Sequence, residues 1–199
     1  STLWVGTQDE GAYQFTKSKS QQYTLRDGLA SNNITGFATD VAGNIWMATA
    51  DSGISVMQIT NDSLVSFKNY TVSNGLASNK INSLVSDGSG TIWAGTEDAG
   101  LIKITVEATG SQEPAIINFT TQDGLGSNHL HSLVIDANGR VYAGTSRGIS
   151  IFDGNHFYVI SKTNGLGSNN IYSLTLDDAN NLWAGTERGI DKISFDNNF

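Results

Sequence analysis

An all-β fold, a β-propeller of four-stranded antiparallel blades, is what the sequence predicts, and three observations carry that reading. The segment Asn74 to Thr96 (NGLASNKINSLVSDGSGTIWAGT) returns from Asp27, Asp123 and Asn164, and a partial copy, Leu3 to Thr7, stands near the start of the sequence. In every full copy a glycine (Gly28, Gly75, Gly124, Gly165) precedes an aromatic residue (Trp46, Trp93, Tyr142, Trp183) by 18 residues, and the aromatics from Trp4 onward are 42, 47, 49 and 41 residues apart. Each period holds short runs of strand-forming residues broken by turn signals, with little helical periodicity. Meanders of about 40–50 residues stacked face to face build a propeller, whereas a linear β-solenoid needs shorter repeats.

Five repeat units follow, 1–25, 26–73, 74–122, 123–163 and 164–199, the first and last incomplete. In the third unit Ile81 to Asp87 reads as the first strand, Gly88-Ser89-Gly90 as a tight turn and Thr91 to Thr96 as the second strand. Leu101 to Val106 is the third, and Ala115 to Thr121 the fourth. Between the last two, Val106 to Pro114 reads as a protruding loop. The first unit supplies only the second to fourth strands, at Leu3 to Thr7, Gly11 to Thr16 and Gln21 to Leu25, and the last unit supplies the first three. The expected total is 18 strands. Ile81, Ser83 and Val85 point one way from the first strand and Leu84 the other, the pattern of a strand buried on both faces. Trp93 and Gly95 share a face of the second strand, so a large ring beside a missing side chain interlocks neighbouring sheets.

Composition narrows the function. The 199 residues carry a net charge of −8, which argues against nucleic acid as a partner because phosphate readers present a basic surface. There is no cysteine, which removes disulfides, thiolate metal sites and cysteine nucleophiles. No apolar run is long enough to span a bilayer, so no membrane contact is expected of this segment itself. No cofactor is implied.

Topology places the candidate site. In such a meander the connections into the first strand and those between the second and third strands emerge on one face, beside the central channel. Positions that vary between repeats there are Asn33, Lys80, His129 and Asn170, then Thr35, Asn82, His131 and Tyr172 two residues on. The facing turns add Asp51, Glu97, Asp98, Arg147, Glu187 and Arg188. Invariant positions build a scaffold and variable ones build an asymmetric site. The ligand-binding candidates are therefore Asn33, Lys80, Asn82, His129, His131, Asn170, Tyr172, Asp51, Asp98, Arg147 and Arg188.

No catalytic residue and no metal site is assigned. Gly144-Thr145-Ser146-Arg147-Gly148 matches a nucleophile elbow in letters, but that elbow joins a strand to a helix and this segment joins two strands. His129 and His131 share a face of an extended strand, yet a zinc site needs a third ligand. The aspartates ending each first strand (Asp40, Asp87, Asp136, Asp177) read as partners for the amides of the following turn.

The GL-[AG]-SN segment, the strand after it, the aspartate and the W-x-G-T strand together resemble the two-component regulator propeller repeat. Ala48 and Tyr142 are local departures from that pattern. The resemblance implies the sensor region of a bacterial hybrid histidine kinase, periplasmic or extracellular and responsive to a small molecule or oligosaccharide. Two other classes stand beside this non-enzymatic reading. One is a propeller lyase or hydrolase with a His129/His131 centre at the channel mouth. The other is a structural module that assembles as a homo-oligomer, an incomplete ring finishing itself with another copy.

Overall fold

The structure, a computed structural model, describes residues 2–60, 64–106 and 113–195. Among these residues 18 strands form five antiparallel sheets, each with its strands in chain order. Sheet 1 holds β1 (Leu3–Gly6), β2 (Ala12–Phe15) and β3 (Ser20–Tyr23). Sheet 2 holds β4 (Ile34–Thr39), β5 (Ile45–Thr49), β6 (Ile54–Thr60) and β7 (Leu64–Tyr70). Sheet 3 is β8 (Ile81–Ser86), β9 (Thr91–Thr96), β10 (Leu101–Thr105) and β11 (Ala115–Phe119). Sheet 4 is β12 (Leu130–Ile135), β13 (Val141–Thr145), β14 (Gly148–Phe152) and β15 (Phe157–Ile160). Sheet 5 is β16 (Ile171–Leu176), β17 (Leu182–Thr186) and β18 (Gly189–Ile193). This is the propeller architecture that the repeats predict. Positions 107–112 of the expected protruding loop lie outside the described residues.

The sheets interlock through unlike faces. Trp46, Ala48, Ile54 and Val56 of sheet 2 pack on Ile81, Leu84, Ile92 and Ala94 of sheet 3. Trp93 of sheet 3 meets Leu130 and Leu133 of sheet 4, and Tyr142 of sheet 4 meets Ile171 and Leu174 of sheet 5. The small residue beside each ring is required by this approach. A Cβ on Gly95 would come to 3.3 Å from the Leu130 Cβ, and one on Gly144 to 2.9 Å from the Ile171 Cγ2.

One correction to the sequence reading concerns the first strands. Ile81, Ser83 and Val85 do not share a face, because the register shifts between Ile81 and Ser83. Ile81 pairs with Thr96 and Leu84 with Ala94, so both point to sheet 2, while Ser83 and Val85 point to sheet 4 beside Gly95 and Trp93. The extra residue is Asn82. The same bulge recurs between Ile34 and Gly36, Leu130 and Ser132, and Ile171 and Ser173. A bulge leaves one residue unpaired and re-aims its side chain.

The fourth strands end earlier than the sequence suggests. Thr120 and Thr121 leave the strand, and Thr121–Asp123 form a 3-10 turn capped by Thr120. Likewise Leu25–Asp27 turn rather than extend β3. Thr120 Oγ1 accepts from the Gln122 amide, Asp123 accepts from the Thr120 amide, and Gly124 closes the turn at φ 101. The Asn128 side chain accepts from the Thr121 amide, while its own carbonyl accepts from Gly100 in the preceding unit. Gly100 itself (φ 93) tolerates no side chain, since a Cβ would run into the Phe119 carbonyl. Each SN pair thus fastens one repeat to the one before it.

Two further letters of the motif find their reasons. The threonine of W-x-G-T closes the second turn, as Thr96 Oγ1 donates to the Gly100 carbonyl at 2.7 Å. The aspartates hold the first turn as expected. Asp136 accepts from the amides of Asn138 and Arg140, from Arg140 Nε at 2.7 Å and from the Tyr142 hydroxyl. Asp40 and Asp177 also accept from the indoles of Trp46 and Trp183, a link between aspartate and aromatic that spacing alone does not reveal.

Candidate functional site

The four bulge residues, Thr35, Asn82, His131 and Tyr172, stand on the innermost strands, and adjacent innermost strands touch one another. Two residues before each bulge come Asn33, Lys80, His129 and Asn170. Their amides donate to the buried hydroxyls of Ser31, Ser78, Ser127 and Ser168. Their carbonyls accept from Ala50, Glu97, Ser146 and Glu187 in the facing turns. The backbone therefore holds the two groups of variable positions side by side in every unit.

Across sheets 3 to 5 the side chains form a continuous polar chain. Asn82 Nδ2 donates to Glu97 Oε2 at 2.7 Å and to the Leu130 carbonyl at 2.9 Å. Glu97 Oε2 lies 3.1 Å from His129 Nε2. The His129 and His131 ring centres are 4.6 Å apart, and His131 meets Tyr172 edge-on at 5.9 Å. Asn170 Nδ2 donates to the Tyr172 hydroxyl at 3.0 Å. Burial lowers the His131 pKa and the neighbouring His129 adds to that, while Glu97 and the Asn170 side chain oppose it, so the net effect keeps this imidazole neutral at neutral pH. His131 Nε2 and Asn170 Oδ1 are buried and form no well-aligned hydrogen bond within the protein, although the Asn170 side chain lies close enough to His131 to act on its pKa. At the two preceding bulges the side chain does find the next strand, since Thr35 Oγ1 donates to the Ile81 carbonyl and Asn82 to that of Leu130.

The structure thus gathers Asn82, His129, His131, Asn170 and Tyr172 from the sequence-selected set. Lys80 and Asp98 form a neighbouring ion pair at 3.2 Å, and the Ser78 hydroxyl, then Lys80, holds the Asp98 carboxyl below its usual range. Asn33 lies in sheet 2's connection, and Asp51 beside it accepts from the Ser52 hydroxyl. Arg147 and Arg188 are exposed, and their amides lock onto Thr145 and Thr186. These four stand outside the contact chain. Glu97 proves to be its hub, a role invisible in sequence because it depends on a bulge aiming Asn82 back across the strand pair. Among the described residues no three histidine or carboxylate side chains come together as a metal site. Ser146 sits on the turn between β13 and β14, its hydroxyl 2.8 Å from that of Ser127, with no helix following.

The sequence model of the family described as two component regulator propeller matches residues 28–51, 75–98 and 165–188. Three of the four full repeats thus match the two-component regulator propeller pattern. No curated protein matches it significantly. Among solved structures, the extracellular domain of a hybrid two component system of B. thetaiotaomicron is similar at 24% identity and a TM-score of 0.82, over 98% of this chain and 26% of that one. The extracellular domain of a one component system of the same organism is similar at 26% identity and TM-score 0.77, over 98% of this chain and 26% of that one. PorZ, an essential surface component of the type-IX secretion system of Porphyromonas gingivalis, shares the fold at 14% identity and TM-score 0.70, over 97% of this chain and 31% of that one. The chain described here spans about a quarter of the length of the first two. No helix among its described residues is long and apolar enough to cross a membrane.

Proposed function

We propose that this propeller is a non-enzymatic sensing module, the extracytoplasmic input region, periplasmic or extracellular, of a bacterial two-component signalling protein. Its ligand is a small molecule or oligosaccharide seated on the ring of His131, Asn170 and Tyr172. The observation that carries this is Tyr172, 52% exposed, standing edge-on to His131 and accepting a hydrogen bond from Asn170. A neutral imidazole and an amide supply both donors and acceptors, and the tyrosine ring offers an apolar platform. The resemblance to extracellular domains of signalling systems supports the location.

A thermal-shift screen against mono- and oligosaccharides and divalent metals tests the reading. A ligand at about a hundredfold excess over its Kd stabilises the folded state by about 2.7 kcal/mol, a readily measured shift. The expected result is a saccharide-induced shift abolished by His131→Ala or Tyr172→Ala and kept by Arg188→Ala. A shift with metals alone, or a saccharide shift unchanged in both ring variants, would overturn it.

A further inference from the structure

Among the four bulge residues, His131 alone has a side chain of the type that takes up a proton near neutral pH. It is also held differently from the two bulge residues before it. Thr35 is anchored by the Ile81 carbonyl and Asn82 by that of Leu130, each on the next innermost strand. His131 Nε2 makes no such bond. Its ring is set between two others, with centres 4.6 Å away at His129 and 5.9 Å away at Tyr172. As a bulge residue His131 carries no rung of the ladder, since Leu130 pairs with Thr145 and Ser132 with Gly144. Its side chain can change rotamer without breaking a strand pair.

A proton on this ring meets two obstacles. The ring is half-buried with its Nε2 out of reach of solvent, and His129 stands against it on the same strand end. The carboxylate in contact with the pair, Glu97, lies against His129 rather than His131. The other charged groups nearby are Lys80, paired with Asp98, then Arg147 on the turn after β13, and Glu187 and Arg188 on the turn after β17. Among the described residues none of these makes an ion pair with His131. Burial and His129 accordingly depress its folded pKa from the ordinary value of 6.5. A base with a depressed folded pKa costs the fold nothing above its ordinary value, and progressively more as pH falls from there towards the folded one. That free energy is relieved when the ring leaves its place for water, so acid favours the conformer in which it has done so.

We propose that His131 makes the polar ring acid-responsive: below neutral pH its protonated imidazole swings out from between His129 and Tyr172, and the contact chain opens there. Sheets 3 and 4 stay joined through Asn82, Glu97 and His129, and Asn170 keeps its bond to Tyr172. The break is confined to the joint between sheets 4 and 5. The strands keep their register, and the change is one of surface rather than of fold. Its consequence for a bound saccharide rests on the sensing role proposed above, whereas the movement itself does not.

The test follows the histidine and tyrosine ring signals of the isotope-labelled protein by NMR, without ligand, from about pH 8 to about pH 5, above the range in which aspartates ordinarily titrate. The expected result is a His131 midpoint below 6.5, with the Tyr172 ring signals shifting at the same midpoint. Cross-relaxation between the His129 and His131 rings should fade as the pH falls. His129→Gln removes the neighbouring positive charge and should move the His131 midpoint up. His131→Gln keeps a polar side chain at the bulge and should abolish the Tyr172 response. Three outcomes overturn the proposal. One is a Tyr172 signal that stays fixed while His131 titrates. Another is a Tyr172 response that persists in His131→Gln. The third is undiminished contact between the two histidine rings once His131 is protonated. No saccharide is present, so failure here and failure of the saccharide screen are separate results.

Discussion

The Asp136 carboxylate receives two turn amides, a guanidinium and a phenol, with none of its side chain exposed. Burial pushes its pKa up, and Arg140 with the amides more than offsets this, leaving the group below the usual carboxylate range. Asp87 follows the same balance, with the Thr91 and Ser89 amides prevailing over burial. Asp177 is drawn down to about 2, chiefly by the Trp183 indole and then by Asn181. Carboxylates with depressed folded pKa values stabilise the protein fully above their unfolded values, about 3.9 for aspartate, and progressively less below. The thermal midpoint is therefore expected to fall as pH drops from about 4 towards 2, and the slope should be shallower in Asp177→Asn. Asp136→Ala, which leaves Arg140 beside an emptied buried position, should cost about 3–5 kcal/mol in urea unfolding. That the aspartates serve the turns was legible from their place before Gly and Asn. Their grip on the aromatic was not, because it needs the strand pair closed to bring the two ends together.

A subtler exchange accompanies Ala48. In the later units a serine on the first strand faces a glycine on the second: Ser83 with Gly95, Ser132 with Gly144, Ser173 with Gly185. In sheet 2 the pair is Gly36 with Ala48. The serine hydroxyl accepts from the next innermost strand, Ser83 from the Leu133 amide and Ser132 from that of Leu174. The side chain has moved from one strand to the other, and the departure that looks isolated in sequence is half of a pair. Gly36→Ser with Ala48→Gly should be non-additive, with a coupling of about 0.5–3 kcal/mol in a double-mutant cycle.

At the level of elements, the repeated turn matters more than any strand. Its capping pairs are Thr24 with Asp27, Thr71 with Asn74, Thr120 with Asp123 and Ser161 with Asn164. Asn32, Asn79, Asn128 and Asn169 each accept from the first amide of the turn. Removing one such oxygen leaves a backbone donor to water at best, so Thr120→Ala and Asn128→Ala should each cost about 1 kcal/mol. Chemical denaturation measures both. The GL-[AG]-SN letters announced a connection of fixed form. Strand ends were misplaced there because threonine suits a strand and a cap equally well, and only the carboxylate or amide three residues later decides between them.

Over the whole molecule, stability is a sum of sheets and the contacts between neighbours. Trp93, 5% exposed and packed edge-on against Phe152, anchors the boundary between sheets 3 and 4. Trp93→Ala should cost about 3–5 kcal/mol. Leu3 and Val5 are 62% and 39% exposed, where Ile92 and Ala94 at the same places in sheet 3 are fully buried. Amide exchange should accordingly be slowest in β8–β10 and β12–β14 and fastest in sheets 1 and 5, as mass spectrometry would show. The repeat period made this stacked design readable, because faces that recur must find partners. The polar ring was readable only as a set of variable positions. Which of them meet is decided by the aim of a side chain, and a string of letters carries no direction.

The bulge on each innermost strand gives the repeat a letter that its own strand ladder does not pair. Thr35, Asn82, His131 and Tyr172 differ in size, polarity and shape, yet the strands around them keep one register. Heredity can rewrite those letters without renegotiating the scaffold. On the proposed sensing role, a propeller of this kind would change what it recognises one position per blade, its specificity drifting while its architecture stands still.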